Sequence, residues 1–133
     1  MPSTQIKIAL PIPDRAVSPN ASRGESRWAA IKKSKAVKTH RSRAYIAMRN
    51  ALIMAGITDL TGMTWAGYSL EFYFPTLMMR DEDNAEGSTK AYRDGICDAL
   101  GQSDRHFRKV KLTEMSKDAK NPRVEITIYQ TKP

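Results

Sequence analysis

The run 68–74 reads Tyr, Ser, Leu, Glu, Phe, Tyr, Phe and ends at Pro75, so an extended chain there puts Tyr68, Leu70, Phe72 and Phe74 on one side. A strand with such a face must be covered, and the rest of the chain has to supply both its sheet partners and the cover. Residues 5–12 alternate Ile6, Ile8 and Leu10 with Gln5, Lys7 and Ala9 before Pro11 and Pro13 stop them, which predicts a first strand. Residues 14–25 collect Pro19, Asn20, Ser22 and Gly24 and read as an exposed loop. From 34 to 55 there is no Gly or Pro, and Tyr45, Met48, Leu52 and Ala55 recur at helical spacing before Gly56, which predicts a long amphipathic helix with an exposed basic early end. Trp28 either begins a short strand or extends that helix backwards. A second helix is expected over about 88–100, from the stripe Tyr92, Ile96, Ala99 and Leu100 and the stop at Gly101. Val110 and Leu112, then Val124, Ile126 and Ile128, mark two final strands around a polar turn at 117–123. The expected fold is α/β (α+β): a single domain over 1–133, with a mixed β-sheet and two main helices packed on it. Trp28, Trp65, Tyr68, Phe72 and Phe74 are expected in the core or in a dimer contact.

A chain of 133 residues fits one compact domain. No apolar run approaches the length of a membrane span and the first residues lack a secretory pattern, so the expected compartment is the cytoplasm, with no membrane partner. The single cysteine, Cys97, cannot close an intrachain disulfide, and His40 and His106 are too isolated to form a metal pair. The net charge is +8, and its distribution says more than its size. Residues 1–60 hold 11 Lys or Arg against Asp14, Glu25 and Asp59, whereas residues 61–133 hold 11 against 11. A one-sided basic segment most often meets a polyanion, because each phosphate neutralised releases counterions, although a solvated basic surface has the same composition. The expected contacts to nucleic acid are Arg23, Arg27, Lys32, Lys33, Lys35, Lys38, Arg41 and Arg43.

The densest acidic cluster, Asp81, Glu82, Asp83 and Glu86, follows directly from the aromatic strand. If the chain stays extended there, Asp81 and Asp83 point to the same side and converge on one hard cation such as Mg²⁺ or Mn²⁺. Without a cation such a pair repels, so it is either a site or a solvated acidic turn. On the following helix Lys90, Asp94, Cys97 and Asp98 lie within about 100° of one another on the side away from the apolar stripe. Asp104 comes after Gly101, where the chain can turn back.

Arg80-Asp81-Glu82-Asp83-Asn84, Lys90, Asp94-Gly95, Asp98-Ala99-Leu100-Gly101 and Asp104, in that order, resemble the signature of RusA-type Holliday junction resolvases, a family common in phages and prophages. The first strand with Pro11, Pro13 and Ser18-Pro19-Asn20 is similar to that family's N-terminal region. The resemblance implies an α/β fold with a mixed sheet and a homodimer that cuts four-way DNA junctions. It implies Asp81, Asp83 and Asp104 as ligands of Mg²⁺, with Mn²⁺ as a substitute, and Lys90 as the catalytic lysine. Two departures stand out: the segment from Asn84 to Lys90 is longer than in the short form of the family, and Ser103 stands where many members have a second aspartate. The competing expectation is a non-catalytic nucleic-acid-binding phage regulator, for which the basic first half suffices.

Overall fold

The computed structural model describes residues 4–18, 27–76 and 82–131. Two of the expected functional residues, Arg23 and Asp81, lie outside them. The described chain forms strand β1 (Gln5–Leu10), helix α1 (Arg27–Met54), strand β2 (Gly67–Phe74), helices α2 (Glu82–Ser88) and α3 (Lys90–Leu100), and strands β3 (Arg108–Lys109), β4 (Glu114–Lys117) and β5 (Arg123–Tyr129). This is the expected α+β domain with a mixed sheet.

The sheet runs β1-β5-β2-β3, with β4 also on β2; β5 is antiparallel to both β1 and β2, and β3 and β4 run parallel to β2. The register stacks three apolar rows across the central strands. Ile6, Ile128 and Tyr68 form one, Ile8, Ile126 and Leu70 the next, and Leu10, Val124 and Phe72 the third. All nine side chains are buried, each contributing about 1.5–3 kcal/mol by leaving water. The opposite face carries the alternating polar set. There Lys7 lies 3.5 Å from both Glu71 and Glu125, and Arg123 donates to Glu125 and Asp118 at 2.8 Å.

Helices α1 and α3 join the core that covers the apolar rows. The buried ridge of α1 is His40, Ala44, Met48 and Leu52, a strict i, i+4 series. Met48 and Leu52 are buried as expected, whereas Tyr45, expected beside them, is exposed, because the buried face is centred about 40° round the helix from the expected one, on the Ala44 side. The helix begins at Arg27, so Trp28 extends it backwards, and at 74 % exposure Trp28 is no core residue. Trp65, Tyr68, Phe72 and Phe74 are buried as expected.

Gly95 permits the close crossing of α3 on α1: a Cβ there would collide with the Arg41 carbonyl oxygen and sit 3.0 Å from the Ala44 Cβ. Because α1 presses on the Gly95 side of α3, the buried surface of α3 takes in Ala91 beside its apolar stripe. Cys97 is buried as well, so the expectation that it sits on the polar side is corrected. The last strands also differ from the reading by alternation. Leu112 is 84 % exposed and lies between the short edge strands β3 and β4, where no further strand covers it among the described residues.

Candidate functional site

The site is assembled around α3. Gly101, at φ +66°, ends that helix in the left-handed conformation, and its N–H and that of Gln102 donate back to the Asp98 and Cys97 carbonyls. The Gln102 side chain then accepts from Trp65 N–H at 2.9 Å and donates to the Trp65 carbonyl at 2.8 Å, which fastens the returning chain to the core. A single 3-10 turn, Asp104–His106, follows. Ser103 caps it by accepting from Arg105 N–H at 3.2 Å. The departure at Ser103 thus has a structural use: it holds the turn that carries Asp104.

The turn brings Asp104 to Lys90. The Lys90 Nζ lies 3.4 Å from Asp94 and 3.7 Å from Asp104, although Lys90 and Asp104 are 14 positions apart. The Lys90 and Asp104 side chains are 64 % and 59 % exposed, so this cluster faces solvent and contributes little to stability. Beside it, Arg41 of α1 makes a two-pronged pair with Asp98, its Nε donating at 2.6 Å and its Nη2 at 2.9 Å. That hydrogen-bonded pairing holds the Asp98 carboxyl below its usual range and the Arg41 guanidinium above its own, and Asp94 and Asp104 add to the latter. Burial pushes the Cys97 thiol up to about 12, with Asp104, Asp94 and Asp98 adding to it, so Cys97 is no nucleophile.

The acidic segment before α3 folds differently from the extended arrangement expected. From Glu82 it is helical, so Asp83 lies on a helix and not on an extended strand, while Asp81, its expected partner, lies outside the described residues. Asp83 is exposed on α2. The extra length between Asn84 and Lys90 is taken up by α2 itself. Glu86 turns to the edge of the sheet, where the Lys109 Nζ approaches to 2.6 Å and the Thr113 hydroxyl donates to it. Partial burial raises the Glu86 carboxyl, but those hydrogen bonds outweigh it and leave the group below its usual range. Glu86 is committed there and is no candidate ligand.

The loop after β1 is tied to the same region. His40 Nε2 accepts from Asp14 N–H at 2.9 Å while its Nδ1 donates to the Ala36 carbonyl at 2.8 Å, and its ring stacks on Tyr92. The buried Tyr92 donates to the Pro11 carbonyl at 2.8 Å. Ser18 Oγ donates to Asn84 Oδ1 at 2.8 Å, joining the N-terminal loop to α2, and the Lys33 Nζ donates to the Ser18 carbonyl. His40 is a positioning group, with both ring nitrogens engaged by the backbone.

Of the expected site residues, the structure brings Lys90 and Asp104 together and leaves Asp83 exposed on the neighbouring helix. The expected basic residues Arg27, Lys32, Lys33, Lys35, Lys38, Arg41 and Arg43 all lie on α1, which carries eight cations in 28 residues and no acid. Sequence reasoning missed the Arg41–Asp98 pair and the Gln102 tether, which join elements 57 and 37 positions apart and leave no local signal.

Asp83 and Asp104, from the expected ligand set, carry the hard oxygen donors that a divalent cation takes. Among the described residues no group of three His, Cys, Asp or Glu side chains converges closely enough to hold a metal; the expected set also includes Asp81, which lies outside them. Among the described residues no helix is long and apolar enough to cross a membrane.

No family model matches the chain. An uncharacterized protein of Xylella fastidiosa is 39 % identical over an alignment of 113 residues, and the match covers 80 % of this chain and 65 % of that protein. The chain therefore spans just under two thirds of the length of this curated relative. Among solved structures, a cyanuric acid hydrolase from A. caulinodans matches 96 % of this chain and 38 % of its own, at 16 % identity and a TM-score of 0.38. A likeness that shallow carries no argument about function.

Proposed function

We propose that the protein is a Mg²⁺-dependent, structure-selective DNA endonuclease that resolves four-way junctions by paired phosphodiester hydrolysis. The observation that carries this reading is the Lys90 ammonium 3.7 Å from Asp104 and 3.4 Å from Asp94, beside a helix with eight cations and no acid. A lysine beside two carboxylates suits phosphoryl chemistry, in which one group neutralises the phosphate and others hold a cation. Asp81, Asp83 and Asp104 would hold Mg²⁺ or Mn²⁺, which supplies an activated water and charge neutralisation at the phosphoryl group when bound. Lys90 contributes an ammonium to the scissile phosphate or to the leaving oxygen, and Asp94 orients it through the i, i+4 pair. The cationic α1 holds duplex arms through phosphates, with affinity that falls steeply with salt. Cutting a four-way junction symmetrically needs two sites, which a two-fold homodimer provides.

The same acid-free helix supports a second reading, a nucleic-acid-binding phage regulator without catalysis. End-labelled four-way junctions and matched linear duplexes, incubated with Mg²⁺ or with EDTA, separate the two. Paired metal-dependent nicks near the crossover, absent in Asp83→Asn, are expected of the endonuclease. Salt-sensitive binding without cutting under any metal favours the regulator.

A further inference from the structure

Trp28, whose size alone suggests a core or dimer position, is 74 % exposed, and its surroundings on α1 are specific. At about 100° per residue, Trp28, Lys35, Thr39, Ser42 and Ile46 fall within about 60° of one another, opposite the buried ridge His40, Ala44, Met48 and Leu52. Trp28 and Ile46 bracket a tract about 27 Å long. Its later part is an open depression of about 500 Å³ lined by Lys38, Thr39, Ser42, Arg43 and Ile46. This outward face therefore combines a large aromatic ring, cations and hydroxyls.

Charge decides what such a face takes. With no Asp or Glu anywhere on α1, a second copy of the same helix would bring cations against cations, and a basic peptide would be repelled. A partner must be anionic and must also present flat apolar surface to an indole. Nucleic acid with unpaired bases meets both demands, since bases stack on aromatic rings and phosphates meet the lysines. A fully paired duplex offers phosphates but keeps its base faces stacked.

We propose that Trp28 stacks on an unpaired base, so that the outward face of α1 recognises single-stranded or unstacked nucleotides at a branch in addition to duplex phosphates. This inference rests on the nucleic-acid reading above and names the feature of the substrate that the site selects.

The two tryptophans make a direct test. Trp65 is 1 % exposed and reports the fold, while Trp28 is accessible and reports contact. The full-length protein, held in EDTA so that nothing is cut, is titrated with a fully paired duplex and with the same duplex bearing an unpaired arm, following tryptophan emission. The forked DNA is expected to quench the emission and the paired duplex to leave it nearly unchanged. Trp28→Ala is expected to lose roughly five- to hundredfold in affinity for the forked DNA, to stay within about twofold on the duplex and to lose the quench, whereas Trp28→Phe keeps most of the affinity. An unchanged Trp65 signal shows that both variants fold. Equal losses on both DNAs, or saturated binding of forked DNA without quenching, would overturn the proposal. So would a Trp28→Ala protein whose DNA affinities are unchanged but which no longer self-associates, since the apolar tract would then belong to a dimer. Absence of binding to either DNA by the wild-type protein at low salt would instead sink the nucleic-acid reading, and this inference with it.

Discussion

Helices α1 and α3 touch at Gly95, yet their outer surfaces carry different chemistry. Along α1 there are eight cations and no acid, while α3 and the turn after it mix acids with cations, with Asp94 and Asp104 beside Lys90 and Asp98 paired to Arg41 of α1. The described ion pair that joins the two helices is Arg41–Asp98. An acidic rim by itself repels a polyanion, and a cationic helix by itself attracts one without acting on it. Set side by side, they divide the work: affinity resides on one helix and chemistry on the other, so substitutions should separate the two.

The largest effect is expected where that division is sharpest. Lys90→Met or Asp104→Asn should lower the rate of junction cutting by about 10²–10³-fold, or about 3–4 kcal/mol in the barrier, with the unfolding free energy within about 1 kcal/mol of wild type because the cluster is exposed. Single-turnover cutting beside urea denaturation reads both quantities. A variant that cuts normally would remove the acidic rim from the mechanism. The next effect comes from breaking the helix crossing itself. Gly95→Leu drives a side chain into the Arg41 carbonyl and Ala44, and should cost about 3 kcal/mol in a urea titration. If stability is unchanged, the helices do not pack as closely as described.

The comparison also shows what is legible in the sequence. The three apolar rows of the sheet follow from period-two alternation at 5–10, 68–74 and 124–128, and β5 is visible because Val124, Ile126 and Ile128 repeat that alternation. The charge of α1 is legible because charge needs no geometry. Its buried face shares Met48 and Leu52 with the one that spacing predicts but takes Ala44 in place of Tyr45, since Tyr45 and Ile46 are as apolar as Ala44 and only packing on α3 decides which of them turn inward. The helix at Glu82–Ser88 escapes the pattern because its residues EDNAEGS carry no apolar stripe, so they read as an extended acidic segment. The meeting of Lys90 with Asp104 depends on the stop at Gly101, which is visible locally, and on the Ser103 cap. The Gln102 tether and the Arg41–Asp98 pair are not visible locally, because they join distant elements and any exposed Gln or Asp would look the same.

Smaller effects sharpen the contrast from the α1 side. Replacing both Lys35 and Lys38 by Gln should reduce the slope of log affinity against log salt by about 1.8, about 0.9 for each phosphate that is no longer neutralised, and leave the unfolding midpoint unchanged. An unaltered slope would move the phosphates elsewhere. The crowded inner side of α3 can be read through Cys97. Its thiol, pushed up to about 12 by burial and by Asp104, Asp94 and Asp98, should resist an aromatic disulfide reagent at about pH 8 in the folded protein and react at once in urea. Rapid labelling of the folded protein would mean that α3 does not bury this side chain.

The smallest effect belongs to the bond between the two surfaces. Hydrogen bonding to Arg41 holds the Asp98 carboxyl below its ordinary range, so its contribution to stability is fully present above about pH 4 and is lost as the pH falls through the lower folded-state value. The pair is exposed, so Asp98→Asn should cost below about 1 kcal/mol at about pH 7, and that difference should close as the pH is lowered towards about 2. The substitution also frees Arg41 from its counter-charge. The variant should therefore bind DNA slightly more tightly at low salt, even as it becomes slightly less stable, because a cation neutralised by Asp98 of α3 is returned to α1. If stability and affinity fall together, Arg41 serves the packing of the helices and takes no part in the division between them.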